Sequence, residues 1–394
     1  MPGISEPRPA QPGGLWNGAI AAVGVLLFYT NIDSYGFAIN LAPPPTVWVV
    51  GFVAIALFIA CLDSSRVVRL LRSPLSYWVL FYFLLTTAWA IFISGAPELT
   101  QELSGRYRSI GFLLAMGLIF DDPRARSAAV IAIAACVAMA VALNVAETLS
   151  LVTFAELSRT PGRSAGFYMN PNSSGVAIAL GVAVITERIP KILRVPLLLM
   201  GAVGVAATFS RGATVCLAIV VLWLIWRRAL GTGYVVLAAV GGVFLFLYAV
   251  TYLQSHDLLS TSAVARLQLA QDDNGRIGIA LKAWEMFLKE PGLGNGLGST
   301  LLWDEGIRAH NMYFTLAADH GLLGLLTYPA FCWAIFKSNR GAAGLALVLM
   351  MSGFFSHGVL DDRCSLLLTA LAANFPLEAP QPEALPLGEA VAQA

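Results

Sequence analysis

Residues 195–226 read VPLLLMGAVGVAATFSRGATVCLAIVVLWLIW, with Arg194 just before them and Arg227-Arg228 just after. Only one charge, Arg211 in the triplet Ser210-Arg211-Gly212, interrupts the apolar run. Backbone polar groups inside a bilayer must bond within their own segment, so two apolar runs joined by a three-residue turn fold as a helical hairpin across the membrane. The triplet then lies at one membrane face and the flanking arginines at the other.

The rest of the chain repeats the pattern. Of 394 residues, 58% are hydrophobic and only 12% charged, and mean hydropathy is +0.74; a soluble domain carries about 25% charged residues, so that class is excluded. Apolar runs fall near residues 15–31, 47–62, 76–94, 108–120, 127–152, 173–186, 195–209, 213–226, 234–253, 313–336, 341–357 and 359–374. They predict an all-α polytopic membrane protein with about 12 transmembrane helices, the shorter ones extended by their flanks. Residues 1–14 are Pro/Gly-rich without a cationic n-region or cleavage site and read as a cytoplasmic tail. Residues 15–374 form the transmembrane domain and 375–394 a second cytoplasmic tail. The five cysteines lie in or beside apolar runs without a CxxC pair, which suits buried thiols rather than a disulfide or metal framework.

Basic residues set the orientation. Arg66, Arg69 and Arg72, then Arg124 and Arg126, then Arg188, Lys191 and Arg194, then Arg227 and Arg228, then Lys337 and Arg340 occupy alternate loops. With alternating spans all five loops share the cytoplasmic side, and both termini join them. The opposite side receives loops 32–46, 95–107, 153–172, 210–212 and the long loop 254–312. Soluble chemistry is therefore expected outside the cytoplasm, where nucleotide sugars are absent. Within the long loop, Ile277, Ala280, Leu281, Trp284, Phe287 and Leu288 make a helical apolar stripe opposite Lys282, Glu285 and Lys289. This predicts an interfacial amphipathic helix, capped by Asn274-Gly275 and Pro291-Gly292, with Trp284 at headgroup depth.

Several polar residues then stand out on that outer side. Arg211 is costly in so apolar a run unless it meets an anion or snorkels to headgroups. Arg159 and Arg163 precede Asn170-Pro171-Asn172 and read either as a cationic arm or as a solvated loop. Arg276 opens the interfacial helix, where free N–H groups favour an anion, and Arg266 and Arg308 are further candidates for substrate contact. His310-Asn311 stands where the polar loop turns apolar. An imidazole with one wet side can take a proton there, with Asn311 orienting it or a sugar hydroxyl; the plainer reading is a hydrogen-bonded packing residue. His320 and His357 read as packing residues, and Asp361 and Asp362 as partners for Arg363 or a site arginine. Gly292, Gly294, Gly296 and Gly298 lack the Lys-Ser/Thr of a phosphate loop and read as a flexible connector, or as an anion nest. The outer loops hold no HExxH, DxD-like or Cys/His cluster, so no metal and no cofactor is expected.

Four segments resemble the O-antigen ligase / O-antigen polymerase superfamily, in that family's order: GFYMNPNSSGVAIAL (166–180), SRGATVCLAIVVLWL (210–224), GRIGIALKAWEMFLKEPGLGNGLGS (275–299) and His310-Asn311 with nine residues before GLLG (321–324). The last is similar to the ligases' His-Asn-x9-Gly-x-x-Gly signature, although Leu325 stands where a small residue is common. The resemblance covers residues 160–330. It implies a bacterial inner-membrane enzyme with a periplasmic active site that moves a glycan from undecaprenyl diphosphate to an acceptor hydroxyl, without a metal and with inversion. It also implies that Arg211 and Arg276 hold the pyrophosphate, that His310 is the base, that Asn311 positions the acceptor and that Arg163 assists. Ligation of O-antigen to lipid A core is the leading expectation. A repeat-unit polymerase, a protein O-oligosaccharyltransferase and, in another class, a lipid-linked glycan transporter are the alternatives. A transporter commonly shows two similar halves, and none is visible here.

Overall fold

The computed structural model describes residues 14–93, 99–154, 157–158, 163–231, 276–301 and 309–375, with isolated positions 233, 241, 251 and 255. Among the described residues the secondary structure is helical, without strands. In chain order the α-helices are α1 (Gly14–Gly24, continued by a π turn Val25–Tyr29), α2 (Ile32–Ala38), α3 (Pro45–Leu62), α4 (Ser64–Leu71), α5 (Pro74–Phe92), α6 (Leu99–Phe120) and α7 (Pro123–Thr148). There follow α8 (Pro171–Thr186), α9 (Lys191–Ala207), α10 (Arg211–Trp226), α11 (Arg276–Lys289), α12 (Met312–Ser338), α13 (Ala343–Ser352) and α14 (Arg363–Ala373).

The starts are written locally. Proline occupies the first turn of α3, α5, α7 and α8, where its missing N–H is not needed. Side chains of Ser73, Asp122, Asn170, Ser210, Asn311 and Asp362 accept from the first-turn N–H groups of the helices that follow them.

The helices track the apolar runs closely, except run 234–253, which lies outside the described residues. By length and composition α3, α5 and α7 can each cross a membrane. The pair Trp16–Tyr29 and Ile32–Ala38, bent by 56°, adds a fourth if it counts as one span. The other apolar helices are shorter, and α12 is broken at Gly321, so among the described residues the helices give fewer full-length spans than the twelve expected of the whole chain. Three further differences concern polar stretches. Loop 32–46 contains α2, and the loop after α3 contains α4. Helix α6 begins at Leu99, well before its apolar run, and carries Arg106 inside it.

Helix α8 is buried nearly all round, as befits a central helix without a polar face. It packs on α7, α9, α10 and α13. At one end of the bundle, Asp122 accepts from Asn17 and pairs with Arg66, and Arg69 meets Asp121. Nearby, Trp223 donates to Glu187 and Arg188 lies over Phe375. The five basic loops thus gather at this end. The opposite end holds the starts of α6, α8, α10, α12 and α14, and with them the polar groups described next.

Candidate active site

The site is built around the start of α12. Asn311 is buried and extended, and its side-chain oxygen accepts from the Phe314 N–H at 3.1 Å, capping the helix. His310 precedes the cap, half-buried. After nine intervening residues the helix breaks: Gly321 has φ 62° and ψ −144°, a conformation essentially open to glycine alone. Past the break, a Cβ at Gly324 would overlap the Leu316 carbonyl oxygen. The His-Asn-x9-Gly-x-x-Gly spacing therefore has a mechanical meaning. It is one cap, a short helix, a left-handed break and a close approach between the two halves.

The broken turn frees backbone groups, and the glycine run answers them. Gly294, Gly296 and Gly298 all have positive φ. Asn295 N–H donates to the Ala318 carbonyl (2.8 Å), Gly296 N–H to the Asp319 carbonyl (3.1 Å), and Leu322 N–H to the Pro291 carbonyl (2.9 Å). The Trp89 indole donates to the Leu293 carbonyl at 2.6 Å. The run is a fitted plug for the break rather than a loose connector.

Beneath it lies a buried charge pair. Arg106 Nη2 donates to Asp319 at 2.7 Å, with Asp319 1% and Arg106 6% exposed. Asp319 also accepts from the Ser299 N–H (3.1 Å) and hydroxyl (3.0 Å). The second Arg106 amino group stands 3.4 Å from His320 Nε2, and the guanidinium lies over the Tyr82 ring. Arg106 and Asp319 form part of the wall of a small cleft, about 30 Å³ in volume, that Glu102, Thr300, Thr315, His357 and Asp361 also line. That is room for about two or more waters. The His310 ring packs edge-on against His357, centroids 5.5 Å apart.

One turn ties this region to α10. Met312 N–H donates to the Gly353 carbonyl at 2.7 Å, while Phe355 packs so closely on Gly212 that a Cβ there would come within 3.1 Å of its ring. The starts of α10 and α12 are thereby held against one short segment, and Arg211 and His310 belong to the same end. Arg211 is the first residue of α10 and exposed, beside the capping Ser210. Arg163 is buried; it donates to the Thr208 carbonyl (2.8 and 3.1 Å), the Phe209 carbonyl (3.1 Å) and Asn172 (3.2 Å). Its guanidinium grips the backbone that leads into Ser210-Arg211.

Arg276 opens α11. That helix presents Ile279 and Ala283 to Ala309 and Phe314, buries Phe287, and leaves Ile277, Leu281 and Leu288 exposed. Trp284 packs on Phe287 and Phe314 rather than standing free on the expected stripe. Arg266, Arg308, Arg159 and the Asn274-Gly275 cap lie outside the described residues.

Sequence reasoning passed over Arg106, Asp319 and Glu102. Arg106 and Glu102 fall in the stretch 95–107 that reads as an outer loop, and no pattern pairs Arg106 with an aspartate 213 positions away. The one available signal was Asp319 itself, a charge inside an apolar run.

A helical bundle with long apolar helices and basic loops gathered at one end is that of an integral membrane protein. Residues 196–328, about a third of the chain, match the family model described as O-antigen ligase, which supports a likeness of this region to the O-antigen ligase/polymerase superfamily. The matched region contains α10, α11 and most of α12, with Arg211, Arg276 and His310. No curated protein matches the chain.

Proposed function

We propose that this protein is a metal-independent inverting glycosyltransferase of the bacterial inner membrane, which joins O-antigen from undecaprenyl diphosphate to lipid A core. In this reading the chain crosses the bilayer about twelve times. The basic end and both termini face the cytoplasm and the His310 end faces the periplasm.

The acceptor hydroxyl oxygen attacks the anomeric carbon, the bond to the diphosphate breaks, and the hydroxyl proton passes to neutral His310. Arg211 and Arg276, each at a helix N-terminus, stabilise the charge gathering on the departing diphosphate. The lipid diphosphate is already a good leaving group, so no nucleotide energy is needed. Asn311 holds the His310 segment by capping α12. Arg163, with its guanidinium on the Thr208 and Phe209 carbonyls, acts by setting the turn that carries Arg211. Arg266 and Arg308, in the sequence stretch 254–312, are assigned to glycan contact.

What supports this reading is the O-antigen ligase family match over residues 196–328, together with the Gly353–Phe355 turn that holds the starts of α10 and α12 at the same end. A deletion strain tests it. Loss of a ligase leaves bare core with long undecaprenyl-linked polymer; core bearing a single repeat unit would instead assign the protein as a polymerase. Liposomes in which the purified protein moves a lipid-linked glycan without transferring sugar would assign it as a transporter.

A further inference from the structure

We propose that Arg106 and Asp319 are a positioning pair that sets the geometry of the active site without touching substrate; the inference rests on the glycosyl-transfer reading above. Two of the three elements that bear on chemistry, those carrying Arg276 and His310, lead to this pair. Helix α11, whose first residue is Arg276, is followed by the glycine run and then Ser299, which is held by Asp319 through both its N–H and its hydroxyl. The α12 segment that begins at His310-Asn311 ends at Asp319, whose carbonyl also receives the Gly296 N–H. Arg106 reaches across from α6 and fixes the carboxylate from behind at 2.7 Å.

A buried ion pair is a poor way to add stability, because desolvation offsets most of its attraction, but it fixes one arrangement sharply. Here the arrangement is the register of the glycine run on the Gly321 break. A slip of that register moves Arg276 relative to His310. The Tyr82 ring under the guanidinium and the nearby His320 ring leave Arg106 little freedom to follow a displaced carboxylate.

The test uses the full-length protein in detergent–lipid micelles with an undecaprenyl-diphosphate glycan donor. Arg106→Gln and Asp319→Asn each lower kcat about 100-fold, the cost of a displacement near 1 Å, while KM for the donor stays within about threefold. The double variant is no worse than either single one, because the pair acts as a unit. Limited trypsin digestion gives a readout independent of catalysis. Cleavage after the exposed Lys289, which leads into the glycine run, accelerates several-fold in both single variants, whereas cleavage after Arg72 at the opposite end does not. Ser299→Ala removes one bond to Asp319 without stranding a charge and lowers kcat about fivefold, the scale of one hydrogen bond; it decides the matter if the single-charge variants fail to fold.

Wild-type kcat in the folded charge variants or in Ser299→Ala, or unchanged Lys289 cleavage, overturns the proposal. A wild-type protein that transfers nothing from the lipid diphosphate overturns the functional reading instead, and the trypsin pattern still judges the pair.

Discussion

Replacing Gly321 by alanine tests how the site is assembled. An alanine at φ 62° and ψ −144° carries backbone strain of about 1–3 kcal/mol. Its Cβ would also stand 2.5 Å from the Gly292 carbonyl oxygen and 2.7 Å from that of Pro291, pushing the glycine run away. The neighbouring bond from Leu322 N–H to Pro291 then goes, for about 1 kcal/mol more. The docked state of the run loses about 2–4 kcal/mol, which lowers its population relative to the open state about 30- to 700-fold. Hydrogen exchange followed by mass spectrometry reads this directly. The amides of Asn295, Gly296 and Leu322 should lose protection by that factor, while those in the middle of α7 and α8 keep theirs. Transfer activity should fall with the same variant. Unchanged protection at those three amides would refute the claim that the glycine run plugs the helix break.

Other consequences follow from the same geometry. Arg211→Ala and Arg276→Ala should each raise the donor KM and lower kcat, with lysine restoring only part, since an ammonium lacks the guanidinium fork; steady-state kinetics on the reconstituted protein checks this. Arg163→Ala strands the Thr208 and Phe209 carbonyls in a buried turn, at about 1–3 kcal/mol each, so the thermal midpoint should fall, and Arg163→Lys should not rescue it. At the basic end, burial raises the Asp122 carboxyl, but the Asn17 amide, the Arg124 and Ala125 N–H groups and Arg66 outweigh it and hold the group below its ordinary range. A depressed folded pKa stabilises above the unfolded value of about 3.9 and loses that effect as pH falls through the folded one. The Asp122→Asn destabilisation, measured as a thermal midpoint difference, should therefore be full near neutrality and shrink in acid.

Much of the bundle was legible because lipid-length apolar runs and helix caps are local features. Ser210, Asn311 and the proline-led starts appear in the sequence where the helices begin. What stayed hidden depends on partners far along the chain. Arg106 looks solvated in isolation and is buried only because Asp319 is there. Gly321 and Gly324 stand within a run that reads as a single helix, and nothing local says that one of them takes a left-handed turn to receive Pro291. The amphipathic helix α11 was visible, but not all of its buried face: Ile279 and Ala283 pack with Ala309 and Phe314, while Ile277, Leu281 and Leu288 of the anticipated stripe are exposed. His310 and Arg211 could be named as candidates. Their meeting at one end required the Gly353–Phe355 turn, which carries no chemistry of its own.

The most direct measurement is release of undecaprenyl diphosphate from a defined lipid-linked glycan, with a core acceptor present, by vesicles holding wild-type protein or His310→Ala. The wild-type chain should release it in step with glycosylated acceptor, and the folded variant should release essentially none. Equal release by both proteins, or transfer by neither, would contradict the account.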